Sequence, residues 1–372
     1  MDEKYDLKLF KPDYDSPLTD ILFELNHLRR LELNGSTKPW IFFQLKDIFH
    51  LFESVGSARI EGNRTTIAEY VEQKIDHELS AEERFSEIAN VEEAMDFIEA
   101  NIDVGTEITH SFILELHALA VTGLDHEGDK TPGAYRSINV SIQDSPHTPP
   151  EHFVVRSYMD ELLEFINQKD FEKYDLIKTA IAHHRFVWIH PFGNGNGRVV
   201  RLLTYALLIK YGFNVKEGKL LNPTAVFCND RNLYYDQLAL ADQGNIEEWC
   251  IYVLGGVVQE INKINRLLDH DILLEEVLLP TLKHAHKRGV LNDNEFKALL
   301  YAVHAQVFKA SDLDLDITQR QRTSLIASLK EANFIKPFKE GGREYSVNFV
   351  NNPLMRSLVI TLEEQGFIPS ID

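Results

Sequence analysis

"IHPFGNGNGRVVR", residues 189–201, places one histidine, three glycines and two arginines in one short stretch. Glycine at 193, 195 and 197 lets backbone N–H groups turn inward with no Cβ in the way. The next residues, "RVVRLLTYALLI", have helical periodicity, and a helix N-terminus adds unpaired N–H donors and partial positive charge. A glycine loop running into a helix is expected to cradle an anion, most naturally a phosphate. Arg198 and Arg201 fall on one face of the first helical turn. Two cations there oppose the helix dipole unless an anion completes the site. Their planar forks suit phosphate oxygens. His190, just ahead of the loop, can take a proton from an attacking hydroxyl near neutral pH. Base, anion hole and arginine pair together point to phosphoryl or nucleotidyl transfer. Gly-Asn-Gly alone is an ordinary turn. The histidine and arginines at fixed offsets make it a site, while Phe192 is expected to anchor the loop in the core. The spacing matches neither a Walker lysine loop nor a dinucleotide fingerprint.

Outward from this loop, apolar residues recur at three and four, so the chain is expected to be mainly α. "SPLTDILFELNHLRRLEL", with Ser16 or Thr19 as cap, and "WIFFQLKDIFHLFESVGSARIEGN", ending at Gly62-Asn63, begin an N-terminal helical module over 1–106. A core over 107–268 follows. It is helical except for "YRSINVSI", a β-prone run set between Gly and Pro and expected to form a small hairpin. The third segment, 281–372, changes character. Residues 281–350 hold 11 Lys/Arg against 8 Asp/Glu, leaving 27 against 50 elsewhere, so a segment of about +3 sits in a chain of net charge −20. Its order of helix, helix and two strands around Gly341-Gly342 is that of a winged helix.

The strong negative charge argues against a general nucleic-acid coat or a binder of anionic membranes, though not against a local basic patch. Cys228 and Cys250 cannot make a disulfide framework or a four-thiolate zinc site. The start "MDEKYDLKLF" lacks an apolar leader and no membrane-length apolar run occurs, so a reduced, cytoplasmic protein is expected. His183 and His184 are adjacent and so point to different helix faces, which favours structural roles over a shared metal.

"HPFGNGNGRVVR" resembles the signature of the Fic family, His-x-Phe-x-Asp/Glu-Gly-Asn-Gly-Arg-x-x-Arg. "YRSINVSI" with "HTPP" is similar to the family's flap, which docks the target's main chain by strand addition. "NLYYDQLALADQGN" is similar to the segment bordering the adenine. "SARIEGN", 57–63, is similar to the inhibitory Ser/Thr-x-x-x-Glu-Gly/Asn motif in its class II, N-terminal position. The likeness extends over about 20–260.

The resemblance implies a Fic-type helical core that transfers AMP from Mg-ATP (or the Mn2+ complex) to a Tyr, Ser or Thr hydroxyl of a target protein. His190 would be the base, and Gly195, Asn196 and Gly197 the anion hole. Arg198 would contact the phosphates and Arg201 the γ-phosphate. Tyr234, Tyr235 and Asp242 would border the nucleotide, and Ile142 would lie in the flap. Glu61, with Ser57, would neutralise Arg201 and hold the enzyme back. Two positions depart from the pattern: Asn194 stands where an acidic residue holds Mg2+, and Asp242 where an adenine-binding Asn is common. A neutral amide is a weak ligand for a hard cation, so weaker metal binding, slower transfer or a different preferred donor is expected, and the runner-up among enzymes is transfer of another phosphate-containing group. The alternative in another class is a weakly active nucleotide sensor acting through the winged helix. Self-modification, a homodimer and DNA at the winged helix are the other partners considered, with no membrane contact expected.

Overall fold

The computed structural model describes residues 7–31, 35–75, 82–142, 145–213, 223–339 and 341–368. Among them the helices are α1 (Pro17–Arg30), α2 (Pro39–Ile60), α3 (Ile67–Ile75), α4 (Glu83–Asn101), α5 (His110–Val121), α6 (Val155–Asn167), α7 (Asp175–Ile189), α8 (Asn196–Lys210), α9 (Pro223–Cys228), α10 (Arg231–Asp242), α11 (Ile246–Asn265), α12 (His270–Leu273), α13 (Leu279–Lys287), α14 (Asp293–Ala305), α15 (Gln319–Glu331) and α16 (Leu354–Glu364). The strands β1 (Phe308–Lys309), β2 (Ile335–Pro337) and β3 (Glu344–Val347) make one antiparallel sheet in the order β1-β3-β2. The chain is mainly α, as its periodicity requires.

Two compact units divide the residues differently from the order in sequence. One comprises 1–32, 50–65 and 81–262, and the other 33–49, 66–80 and 263–372. The first hundred residues are therefore not a compact unit of their own. The reason is burial: Leu18, Leu25, Val91, Met95 and Ile98 share one apolar core with Ile181, Phe186, Val199 and Leu203.

In the first unit α8 is central, packing against α4, α5 and α7. Nearly every α8 residue is buried, which is why the segment reads as apolar around its whole circumference. Ser16 caps α1, its hydroxyl accepting the Leu18 N–H at 3.1 Å. The last turns of α2 end as expected: Gly62 takes φ +109°, and the Gly62 and Asn63 N–H groups return to the Arg59 and Ala58 carbonyls.

The expected hairpin at 135–142 does not form a ladder among the described residues, of which 143 and 144 are not part. The segment is instead tied down by side chains. Arg136, 4% exposed, donates to the carbonyls of His190 (2.8 Å), Ile138 (3.0 Å) and Pro150, and its N–H donates to the Pro191 carbonyl at 2.9 Å. His147 Nε2 lies 2.9 Å from the Trp188 carbonyl. These bonds replace the cross-strand pairs a hairpin would need.

In the second unit, α13 packs against α14 and α16. The sequence then runs α14, β1, a 3-10 turn, α15, β2 and β3. Thr318 caps α15 through a capping box with Gln321. Phe308 pairs with Tyr345, and Ile335 with Val347.

Candidate active site

Helix α7 stops at His190 because Pro191 follows it, and the residue before a proline is barred from continuing a helix. His190 takes a left-handed conformation instead (φ 50°, ψ 62°), and its N–H closes on the Phe186 carbonyl at 2.9 Å. The chain thereby reverses into the glycine loop. Phe192, fully buried, stacks on His117 with ring centroids 3.8 Å apart, so it does anchor the loop. Asn196 bridges the loop from inside, its Oδ1 accepting the Phe192 N–H at 2.9 Å and its Nδ2 donating to the Phe192 carbonyl at 3.0 Å. Its side chain is thus a brace, and only its backbone N–H can belong to an anion hole.

Gly195 is the residue before α8, with φ +76°, and a Cβ there would collide with Val121. Gly195→Ala is therefore expected to cost about 1–3 kcal/mol of stability, seen as a lower Tm in thermal unfolding. An unchanged Tm would show that the turn relaxes.

No side chain caps the N-terminus of α8. The Glu61 carboxylate lies there instead: a Cβ built on Gly197 would overlap it. Glu61 Oε1 also accepts from Arg201 Nη2 at 2.6 Å. Arg201, 2% exposed, donates through Nε to Ser57 Oγ and through Nη2 to the Ser57 carbonyl, both at 2.9 Å. A carboxylate from the end of α2 thus occupies the position an anion would take in the cradle. Burial acts to raise the Glu61 pKa, but the Arg201 charge and hydrogen bond outweigh it and hold the carboxyl below its ordinary value.

His190 is half-buried. Burial lowers its pKa to about 4; the Val187 carbonyl opposes this, while Arg136 and His147 add to it. Its Nδ1 is buried with no well-formed hydrogen bond. The ring is therefore neutral at pH 7, the form a general base requires.

The other residues expected at the site have the following surroundings. Arg198 is fully buried, donating to the carbonyls of Ala120 (3.1 Å) and Glu127, with Glu87 Oε1 3.5 Å away. A phosphate contact would have to draw it off these partners. Tyr234 is 2% exposed and faces the core, whereas Tyr235 is 42% exposed with Arg231 over its ring. Asp242 Oδ1 meets His184 Nε2 at 2.9 Å. Ile142 is half-buried in the segment tied down by Arg136.

Asn194 Oδ1 accepts the Gly195 N–H at 2.7 Å, and its Nδ2 donates to the Gly128 carbonyl at 3.2 Å. A divalent cation wants several oxygen ligands, carboxylates above all. Among the described residues no group of three His, Cys, Asp or Glu side chains could hold a metal ion. The protein's own donors at this position do not fit Mg2+ or Mn2+.

Three braces carried no expectation. Besides Arg136, His117 accepts the Gly133 N–H on Nδ1 (3.0 Å) and donates from Nε2 to the Asn194 carbonyl (3.2 Å). Asp129 Oδ2 accepts the Asn194 N–H at 2.8 Å. Their only sequence signal is charge or imidazole within a Gly/Pro-punctuated stretch or an apolar helix, which fixes no partner. Among the described residues no helix is long and apolar enough to cross a membrane.

Residues 107–208 match the model of the Fic/DOC family. The chain is 31% identical over 202 residues to protein adenylyltransferase Fic of Nematostella vectensis, covering 53% of this chain and 44% of that protein. It is 30% identical over 229 residues to the protein of that name from Drosophila yakuba, covering 60% and 42%. The chain spans less than half the length of these curated relatives. A crystal structure of a Fic family protein from Desulfovibrio desulfuricans G20 superposes with a TM-score of 0.56 at 20% identity, over 91% of this chain and 98% of that one. Fic-1 from C. elegans gives 0.54 at 21% identity, over 66% and 71%. These two likenesses concern the fold. The glycine loop opening onto an uncapped helix, the histidine before it and the matched family model agree, and residues 107–208 are a Fic/DOC family domain.

Proposed function

We propose that the chain transfers AMP from ATP to a Tyr, Ser or Thr hydroxyl of a target protein and is held back by Glu61. The hydroxyl oxygen attacks the α-phosphorus, the bond to the bridging oxygen of the β-phosphate breaks, pyrophosphate leaves, and the hydroxyl proton passes to neutral His190. Backbone N–H groups at 196 and 197 bind the phosphate oxygens, the Gly195 N–H being held by Asn194 Oδ1, and Arg201, once released, receives the γ-phosphate. The observation that carries this reading is the Glu61 carboxylate seated against Gly197 on Arg201, an anion of the protein's own in the cradle. The name shared by the curated relatives supports the same reaction.

The target would approach along 137–142, whose backbone groups are not engaged in a ladder and suit strand addition. The elements from α14 to β3 are read as a winged helix, with Arg320 on α15 and Lys336, Lys339 and Arg343 around the β2–β3 turn all exposed. A salt-dependent shift of duplex DNA by the full chain would assign that surface to DNA. Its absence would leave protein docking.

The deciding experiment compares α- and γ-labelled ATP with the Glu61→Gly protein. Label on protein from α-labelled ATP alone identifies adenylyl transfer. Label from both identifies another donor reaction. ATP binding with label from neither makes the chain a nucleotide sensor. Because Asn194 spends its oxygen on Gly195, Asn194→Asp should make ATP affinity several-fold more dependent on Mg2+, measured by titration calorimetry with and without the ion. An unaltered dependence would place the metal's ligands elsewhere.

A further inference from the structure

Helix α10 is gripped from α7 by two neighbouring histidines. His184 meets Asp242 at the C-terminal end of α10, as described above. His183, 1% exposed, has Nδ1 2.8 Å from Thr204 Oγ1 and Nε2 2.9 Å from the Tyr234 hydroxyl, one turn into α10. Thr204 lies on α8, three residues after Arg201. The three elements joined at this imidazole are therefore the helix ending at the base, the helix carrying the phosphate-facing arginine, and α10.

Proton inventory fixes the direction of the bonds. Thr204 donates its one hydroxyl hydrogen to the Val200 carbonyl at 2.8 Å, so its oxygen can only accept from His183. Nδ1 therefore carries a proton. Burial pushes the His183 pKa well below its ordinary value, with Arg201 and His184 acting the same way, so the ring is neutral and Nε2 is an acceptor. Tyr234 must then be the donor. The chain runs from Tyr234 O–H to Nε2, from Nδ1–H to Thr204 Oγ1, and from Thr204 O–H to the Val200 carbonyl. The rings of Phe227 and Trp249, with centroids 4.6 and 5.4 Å from the imidazole, pack around it. In so dry a setting each lost partner leaves a buried polar atom unsatisfied.

We propose that His183 is a positioning residue for the nucleotide donor: through this one-way chain it sets α10, with Tyr235 and Arg231 on its exposed edge, at a fixed place relative to Arg201. The inference rests on the adenylyl-transfer reading. In it Tyr234 acts on the donor through His183 and α10, with its own hydroxyl committed to the core. Loss of the chain lets α10 shift, so the site loses donor affinity while His190 and the loop, braced separately by Arg136, His117 and Asn196, keep their geometry.

The test uses the full chain carrying Glu61→Gly, with Thr204→Val, Thr204→Ser or Tyr234→Phe added. Thr204→Val and Tyr234→Phe should raise KM for ATP, and the Kd from titration, about tenfold. Their kcat at saturating ATP should stay within about twofold of the parent, and Thr204→Ser, which keeps the hydroxyl, should restore KM. If Thr204→Val folds poorly, Tyr234→Phe, which removes a single oxygen, decides. A fall in kcat at constant KM would mean that the chain acts on the base, and overturns the proposal. Equal ATP binding by parent and variants overturns it while leaving adenylyl transfer intact. Failure of the Glu61→Gly parent to bind ATP at all overturns both.

Discussion

Glu61→Gly is expected to raise AMP incorporation by about ten- to a hundredfold. A charge-assisted hydrogen bond contributes about 1.5–3 kcal/mol, and each tenfold corresponds to about 1.4 kcal/mol. The carboxylate both neutralises Arg201 and fills the space beside Gly197, so its loss frees charge and volume together. The substitution does not orphan the guanidinium, because Ser57 keeps accepting from it through its hydroxyl and its carbonyl. The fold should therefore survive, and the gain should appear in kcat/KM for ATP. Glu61→Gln separates the two effects: it keeps the bulk and loses the charge, and should fall between parent and Gly variant. Equal labelling by parent and Glu61→Gly would remove autoinhibition from the account. The pair is insensitive to pH near neutrality. A carboxyl held below its ordinary value contributes fully above that value, and its contribution is lost only as pH falls through the folded pKa, below 4.5.

His190→Ala in the released protein is expected to lower kcat/KM by about 10²–10⁴-fold, the usual worth of a positioned general base. ATP affinity should change little, since the anion hole and Arg201 remain. The pH profile gives an independent reading. Base-competent imidazole is the neutral form, present above its pKa, and burial lowers that pKa to about 4. The rate of Glu61→Gly should therefore be flat with respect to this group from about pH 6 to 8, with its acid limb near 4. A limb near 6.5 would mean that the ring is solvated once Glu61 leaves the cradle.

Much of the chemistry was legible without coordinates, for a local reason. A glycine-rich turn followed by a helix, with a histidine before it and arginines one turn inside, is defined by near neighbours in the chain. Backbone sterics and helix periodicity translate such spacing directly into geometry, and the loop, the start of α8 and the end of α2 at Gly62 formed as read. The β-prone run at 135–142 shows the limit. Its composition is that of a strand, but the buried Arg136 ties it to the turn at His190, and no local rule foresees such a partner.

The side chains expected at the nucleotide separate in the same way. Tyr234 and Tyr235 are adjacent, and periodicity says only that they point apart. Packing against His183 sends the first inward and leaves the second exposed. Asp242 has a neighbour in His184 that no spacing announces. Arg198 sits at the motif's own arginine position and is nonetheless drawn to the carbonyls of Ala120 and Glu127. Even the grouping of the N-terminal helices with the core depends on which apolar faces meet.

The sequence alone determined the family likeness, the helical class, the glycine loop running into a helix, and the places of His190 and Glu61 beside their motifs, because each is encoded in contiguous or periodic residues. The tertiary structure alone decided that the Glu61 carboxylate lies in the cradle, that Asn194 spends its oxygen on its own loop, and that one neutral histidine joins α7, α8 and α10. Those facts depend on atoms brought together across the chain, where burial and the satisfaction of every polar group choose among side-chain directions that local spacing leaves equivalent.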